Sequence, residues 1–152
     1  MNHYALVTQL VEYLTCNEVV IGSNPVGGSC PACAGIVNRQ AVYCSNHCQK
    51  VWQRDQYIIR WFNDLETGLT KAGLVSVSIK EFYRYVHNNK CQLCGWAEIN
   101  IHTNIVPLEM NHIDGNHLNN RPSNLELICP NCHALTSNYR GRNKGRGRAN
   151  RS

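Results

Sequence analysis

The sequence predicts a small, zinc-stabilised α+β protein, and three observations lead there. Eight of its nine cysteines fall in four close pairs, Cys30/Cys33, Cys44/Cys48, Cys91/Cys94 and Cys129/Cys132. Only 43% of the 152 residues are hydrophobic, so metal is expected to replace part of the core that so short a chain cannot build. Helix-period stretches precede two short strand-like runs rather than one period repeating throughout.

The N-terminal segment carries no signal-peptide pattern, and no apolar run is long enough to span a bilayer. Nine cysteines in such a chain predict a reducing, cytoplasmic setting in which metal sites are the default and disulfides are not. The formal charge is +5, from 15 basic and 10 acidic residues. Arg140, Arg142, Lys144, Arg146, Arg148 and Arg151 all follow Tyr139, which leaves nine basic against ten acidic residues before it. The net charge is therefore a property of the tail, residues 140–152, whose Gly/Arg/Asn composition predicts disorder and contact with phosphates rather than packing.

Residues 1–28 open with an apolar periodic run, Ala5 to Leu14, that predicts one short helix. This leader also resembles a translated tRNA gene: TQLVE, TCNEV and GSNP read like the sense strand of D-arm, anticodon and T-arm sequences. The alternative is an ordinary amphipathic leader with a chance match. Next, Cys30, Cys33, Cys44 and Cys48 have the C-x2-C-x10-C-x3-C spacing of a small zinc finger over residues 29–50, with the last ligand on the first turn of a helix. His47 is a rival ligand, but Cys48 completes an all-thiolate set. Cys16 is left unligated.

Residues 51–90 form a helical region expected to link the finger to the rest and to help bind DNA. One helix is predicted from Gln49 to Glu66, with Val51, Trp52, Ile58, Ile59, Trp61, Phe62 and Leu65 at helical spacing and Gly68 as the stop. A second is predicted from Ser78 to His87, with Ile79, Phe82, Tyr83 and Val86 inward and Ser78 and Glu81 as a capping box. Lys and Arg on these helices read as a solvated face.

The remaining stretch, residues 91–139, is CQLCGWAEINIHTNIVPLEMNHIDGNHLNNRPSNLELICPNCH and its continuation. Cys91, Cys94, Cys129 and Cys132 would tie the ends of a loop too short for its own core around a second zinc. Ile105–His112 and Glu126–Ile128 read as strands joined by a polar loop, and Asn131–Asn138 as a helix. Asn116, Asn119 and Asn120 suit a turn.

From the first of these cysteines to the Arg-rich tail, this stretch closely resembles the HNH endonuclease family, in the phage-type subgroup with a four-cysteine zinc site and endings of the form LE-x-x-HIDGN…NN…NL-x-L-x-CPNCH…T-x-x-Y-x-GRN. The resemblance implies a ββα-metal module holding one catalytic Mg2+ or Mn2+, beside two structural Zn2+ in the chain. By this likeness His112 is the general base, Asn124 braces the loop that positions it, and His133 is a metal ligand. The residue before the base, usually Asp or His and a metal ligand, is Asn111. An amide oxygen can ligate these cations but brings no charge, so weaker metal binding is expected. Asp114 reads as structural, His117 as a loop or phosphate-contacting residue, and Arg121 as a phosphate clamp.

The resemblance implies an endonuclease hydrolysing phosphodiesters in double-stranded DNA, by a nick or a double-strand cut, and a free-standing homing endonuclease acting in the cytoplasm of an infected bacterial host. A monomer or a homodimer is compatible with it; a membrane partner is not expected. Two other readings stand beside it: a zinc-finger DNA-binding protein whose active site has decayed through Asn111, and an RNA-directed nuclease, suggested by the tRNA-like leader.

Overall fold

The computed structural model describes residues 29–37 and 41–139. The leader and the basic tail, with the expectations attached to them, lie outside the described residues. The chain divides after Glu66 into two compact units.

In the first unit the Cys30–Cys33 turn is closed by an antiparallel bridge between Ser29 and Ile36. Helix α1 runs Asn46–Phe62 and buries Asp55, Ile58 and Trp61 at a three-residue spacing along one stripe. It starts three residues earlier than the sequence suggests because the Ser45 hydroxyl caps it, accepting from the Cys48 amide at 3.1 Å. It also stops before Glu66. Leu65 N donates to Arg60 O and Asp64 N to Trp61 O, with Asp64 in the left-handed region at φ 56°, so Asp64 ends the helix and Gly68 does not. Leu65, expected inward, is 71% exposed.

The second unit begins with a tight turn bridged from Leu69 to Val75. Helix α2 follows at Val77–Val86, burying Ile79, Phe82 and Tyr83 as the periodicity requires. Its cap is Ser76, whose side chain accepts from Ile79 N, two residues before the expected Ser78. The chain then makes the Cys91–Cys94 turn and an irregular stretch before strand β1, Glu109–His112. A single 3-10 turn at Pro122–Asn124 leads into strand β2, Leu125–Ile128, and helix α3 occupies Pro130–Ala134. β1 and β2 pair antiparallel, Glu109 opposite Ile128 and His112 opposite Leu125.

The first strand is shorter than the predicted 105–112 for a reason visible in the sequence. Pro107 has no amide hydrogen to give a ladder. The carbonyls of Val106 and Leu108 are instead taken by the Arg84 guanidinium, at 3.1 and 3.3 Å. The last helix is also shorter than predicted. After Ala134 the amides reach back three residues, Leu135 N to Cys132 O and Thr136 N to His133 O, and the Thr136 hydroxyl competes for the same His133 carbonyl.

The core of this unit is Val75, Ile79, Phe82, Tyr83, Val106, Leu108, Leu125, Leu127 and Ile128, together with the thiols Cys91 and Cys129. Each large apolar side chain buried there contributes about 1.5–3 kcal/mol. Tyr83 keeps its hydroxyl satisfied inside this core by donating to Pro122 O at 2.8 Å, which pins the 3-10 turn to α2. Among the described residues no helix is long and apolar enough to cross a membrane.

Candidate active site and metal centres

Each unit contains four cysteines whose Sγ atoms lie within 4.8 Å of one another: Cys30, Cys33, Cys44 and Cys48 in the first, Cys91, Cys94, Cys129 and Cys132 in the second. A tetrahedral zinc with Zn–S bonds of about 2.3 Å would separate its sulfurs by about 3.8 Å. The contacts Cys33–Cys44 at 3.5 Å, Cys44–Cys48 at 3.3 Å and Cys94–Cys129 at 3.8 Å suit such an ion. His47, exposed, is not part of the first group.

The two groups are built alike. In both, the leading Cys-x-x-Cys is a tight turn: Ala34 N donates to Cys30 O and Cys30 N to Gly35 O, while Gly95 N donates to Cys91 O and Cys91 N to Trp96 O. The residue after the second cysteine is left-handed in each, Ala34 at φ 56° and Gly95 at φ 75°. In both, the trailing pair sits at a helix start, with Cys48 and Cys132 each three residues into their helices counted from the cap.

Ionisation of the thiols follows from this arrangement. Burial raises Cys30 and Cys91, but backbone amides outweigh it, Cys44, Ala32 and Cys33 for the one and Cys129, Cys94 and Leu93 for the other, and hold each at about 6. Their neighbours are pushed the other way, Cys44 to about 12 chiefly by the Cys48 thiol and Cys132 to about 12 chiefly by the Cys94 thiol. Four sulfurs this close cannot all ionise without a cation among them.

The second group is tied directly to the hairpin. Gln92, inside the knuckle, donates its amide to Leu127 O at 3.0 Å and accepts Leu127 N on its side-chain oxygen. β2 therefore has the knuckle on its outer edge and β1 on the other. Cys129 directly follows β2 and caps α3, its Sγ accepting from Cys132 N.

The candidate catalytic residues occupy the hairpin, its loop and α3. His112 ends β1, and its Nε2 lies 2.6 Å from Asn120 Oδ1. An amide oxygen only accepts, so Nε2 carries the proton and Nδ1 keeps the lone pair. Asn124 is buried at the other end of the loop. Its Nδ2 donates to Asp114 Oδ1 at 2.8 Å and Asn119 O at 2.7 Å, its Oδ1 accepts Asp114 N at 3.0 Å, and its backbone oxygen accepts Ile113 N at 2.9 Å. Asp114 is held below the usual carboxylate range: burial raises it, but the Asn116 amide, the Asn119 and Asn124 side chains and the nearby His112 together outweigh that. It is a loop-building residue, as its sequence context suggests.

Alternation along β1 puts Glu109 and Asn111 on one face and Met110 and His112 on the other. Asn111 is buried and donates Nδ2 to Glu126 Oε1 at 2.7 Å, its cross-strand partner. On α3, His133 directs Nδ1 to Glu109 Oε2, and its ring packs edge-on against Tyr139 with centroids 5.2 Å apart. Among the described residues no third set of three His, Cys, Asp or Glu side chains converges on one point. A neutral imidazole, an amide and nearby carboxylates are nonetheless a donor set that suits Mg2+ or Mn2+.

A cavity of about 370 Å³ is lined by Leu108, Met110, His112 and Leu127, with Lys80, Arg84, Glu109 and His117 among its polar walls. His117 and Lys80 of α2 thus line the same cavity as His112. Arg121 is exposed at the cap of the 3-10 turn. The proposed phosphate contacts Arg140, Arg142, Lys144, Arg146 and Arg148 lie outside the described residues.

The roles of three polar residues of this region escaped the sequence: Asn120, named there only as a turn former, which orients His112; Glu109, which meets His133; and Asn138, whose Nδ2 donates to His112 O at 2.6 Å. A surplus of asparagines in one loop gave no way to tell the orienting one from its turn-forming neighbours.

The chain is 49% identical over 61 residues to the H-N-H endonuclease F-TflIV of Escherichia phage T5, a match covering 38% of this chain. The chain thereby spans about a quarter of that relative, 25% of its length. No family profile matches the chain, and no solved structure does.

Proposed function

We propose that this chain, 49% identical over 61 residues to a phage H-N-H endonuclease, is a metal-dependent endonuclease of the HNH type that hydrolyses phosphodiester bonds in double-stranded DNA. The observation that carries the reading is the His112–Asn120 contact at the end of β1. It turns Nε2 of the imidazole to Asn120 and leaves Nδ1 as the basic atom, on a cavity with Lys80 and His117 in its walls.

In this reading His112 Nδ1 removes a proton from the attacking water. Asn120 fixes the tautomer, and Asn138 holds the His112 backbone. Asn124 keeps the loop that carries Asn120 folded across the hairpin end. Lys80, His117 and Arg121 attract the phosphates that flank the cut. A divalent cation, held by His133 with the amide oxygen of Asn111, would supply charge neutralisation at phosphorus and at the leaving 3′ oxygen. In this reading β1, β2 and α3 would make up the family's ββα-metal arrangement, and the two thiol groups would each hold a structural Zn2+. The domain plan follows: leader 1–28, zinc finger 29–50, helical region 51–90, nuclease module 91–139 and basic tail 140–152.

Supercoiled plasmid incubated with purified protein and Mg2+ or Mn2+ tests this; relaxation or linearisation is the expected result. His112→Ala should lower the rate about 10²–10⁴-fold with zinc content and folding intact, since it removes a base and no zinc ligand. Near-normal cleavage by that variant refutes the role of His112. Structured RNA cut in preference to plasmid would favour the RNA-directed alternative. We assign a homing role in the same spirit, from the phage relative and the tRNA-like leader: nicks should map to a locus lacking this gene, and equal cutting of unrelated DNA refutes it. Codons for Gly22–Pro25 unlike a T-arm sequence would remove the tRNA overlap.

A further inference from the structure

Glu109 was assigned no role by the motif, and its placement gives it one. It stands two residues before Asn111 on the same face of β1, and its carboxylate meets His133 Nδ1 across to α3. His133 is held on another side by the Tyr139 ring. An exposed ion pair would be a weak interaction worth little by itself. Here, however, the imidazole side chain is three-quarters buried, held by Glu109 of β1 and by Tyr139 beyond α3, and its half-exposed partner lies two residues from the one position in the motif where a charge is missing.

We propose that Glu109 is the positioning residue for the catalytic cation: it accepts Nδ1–H of His133, which fixes the tautomer whose Nε2 offers a lone pair to the metal, and it supplies the negative charge that Asn111 lacks. This rests on the reading of His133 as a metal ligand. A carboxylate that takes the far N–H of a ligating histidine makes the ligand more basic and stops the ring turning, and loss of such a partner costs about 10–100-fold in metal affinity. The same face carries Glu126, which holds the Asn111 amide by its nitrogen and so leaves the amide oxygen as the atom available to a cation. The two glutamates thereby orient the two neutral donors, one each.

The test is Mn2+ binding to the zinc-loaded full chain, read from the free-ion electron paramagnetic resonance signal. Glu109→Ala should weaken binding about 10–100-fold, and Glu109→Gln less, because its amide oxygen still accepts from Nδ1. High Mn2+ should restore much of the cleavage by Glu109→Ala. His112→Ala should bind Mn2+ like the wild type and stay inactive at every concentration. Wild-type Mn2+ affinity in Glu109→Ala, with His133→Ala losing it, overturns this proposal and spares the reading beneath it. Wild-type affinity in His133→Ala removes both the ligand and its positioning residue. Zinc content, equal in all four variants, guards against loss by unfolding.

Discussion

Replacing Asn124 by Ala separates a loop brace from a catalytic group. The side chain makes three hydrogen bonds, to Asp114 Oδ1, Asn119 O and Asp114 N, all within 3.0 Å. A neutral bond contributes about 1 kcal/mol and one to a carboxylate about 2 kcal/mol, so the loss should be about 3–4 kcal/mol. A unit of this size has a total stability of roughly 4–10 kcal/mol, so the variant should fold but lie near its limit. Urea unfolding at fixed free zinc is the assay, because zinc bound only to the folded state would otherwise shift the midpoint. With a slope of about 1 kcal/mol/M the midpoint should fall by about 3 M. A change under about 0.5 kcal/mol would refute the brace and return Asn124 to the list of groups that touch substrate. Asn124→Asp sharpens the test. It sets a second carboxylate about 2.8 Å from Asp114 Oδ1, which raises the pair's folded pKa above the unfolded value. The folded state then binds more protons, so this variant should be most stable in mild acid and lose stability as pH rises, opposite to the wild type, whose lowered Asp114 loses stability as pH falls.

Burial lowers the pKa of His87, whose Nε2 has no hydrogen-bond partner, so the folded state resists its protonation. Stability from this group should be full above about pH 6.5 and decline as pH falls below it; His87→Phe should flatten that limb of a Tm-against-pH curve. Elemental analysis should report two zinc ions per chain, and Cys132→Ser should lose one of them together with most of the near-ultraviolet signal of the second unit. A well-folded, zinc-replete Cys132→Ser protein would contradict the cage. Truncation after Tyr139 should weaken binding across DNA sequences and reduce the slope of log K against log salt by up to about five, since six charges are removed. An unchanged slope would mean the tail makes no phosphate contact.

What the sequence disclosed and what it withheld divide along a physical line. Cysteine spacing exposed both thiol groups, because a metal's ligands must recur at distances set by a turn or a helix start. Period exposed Ile79, Phe82 and Tyr83, since burial on one helix face leaves a 3.6-residue trace. The element ends were missed where a long-range partner decides them. Arg84 takes the carbonyls that a longer β1 would have used, and Asp64, not a glycine, supplies the left-handed stop after α1. Glu109 and Asn120 were missed for the same reason: each acts on a histidine 24 or 8 residues away, and pairings of that kind leave no period in the chain.

The two thiol groups show how one device survives a change of spacing. The trailing pair is C-x3-C in the first unit and C-x2-C in the second, yet the last cysteine falls three residues past the cap in both. The difference lies in who caps. In the second unit Cys129 is itself the cap residue and its sulfur takes the Cys132 amide, whereas in the first Ser45 does that work and Cys44 steps back by one. A ligand that also caps is buried, as Cys129 is; one relieved of capping is exposed, as Cys44 is. The second group is further bound to β2 through Gln92, so displacing an ion held by these thiols should also loosen Leu127 and the helix bearing His133. Chelation should therefore remove cleavage in step with the zinc of the second unit. A chelated chain that has lost this zinc and still cuts would break the link between cage and active site.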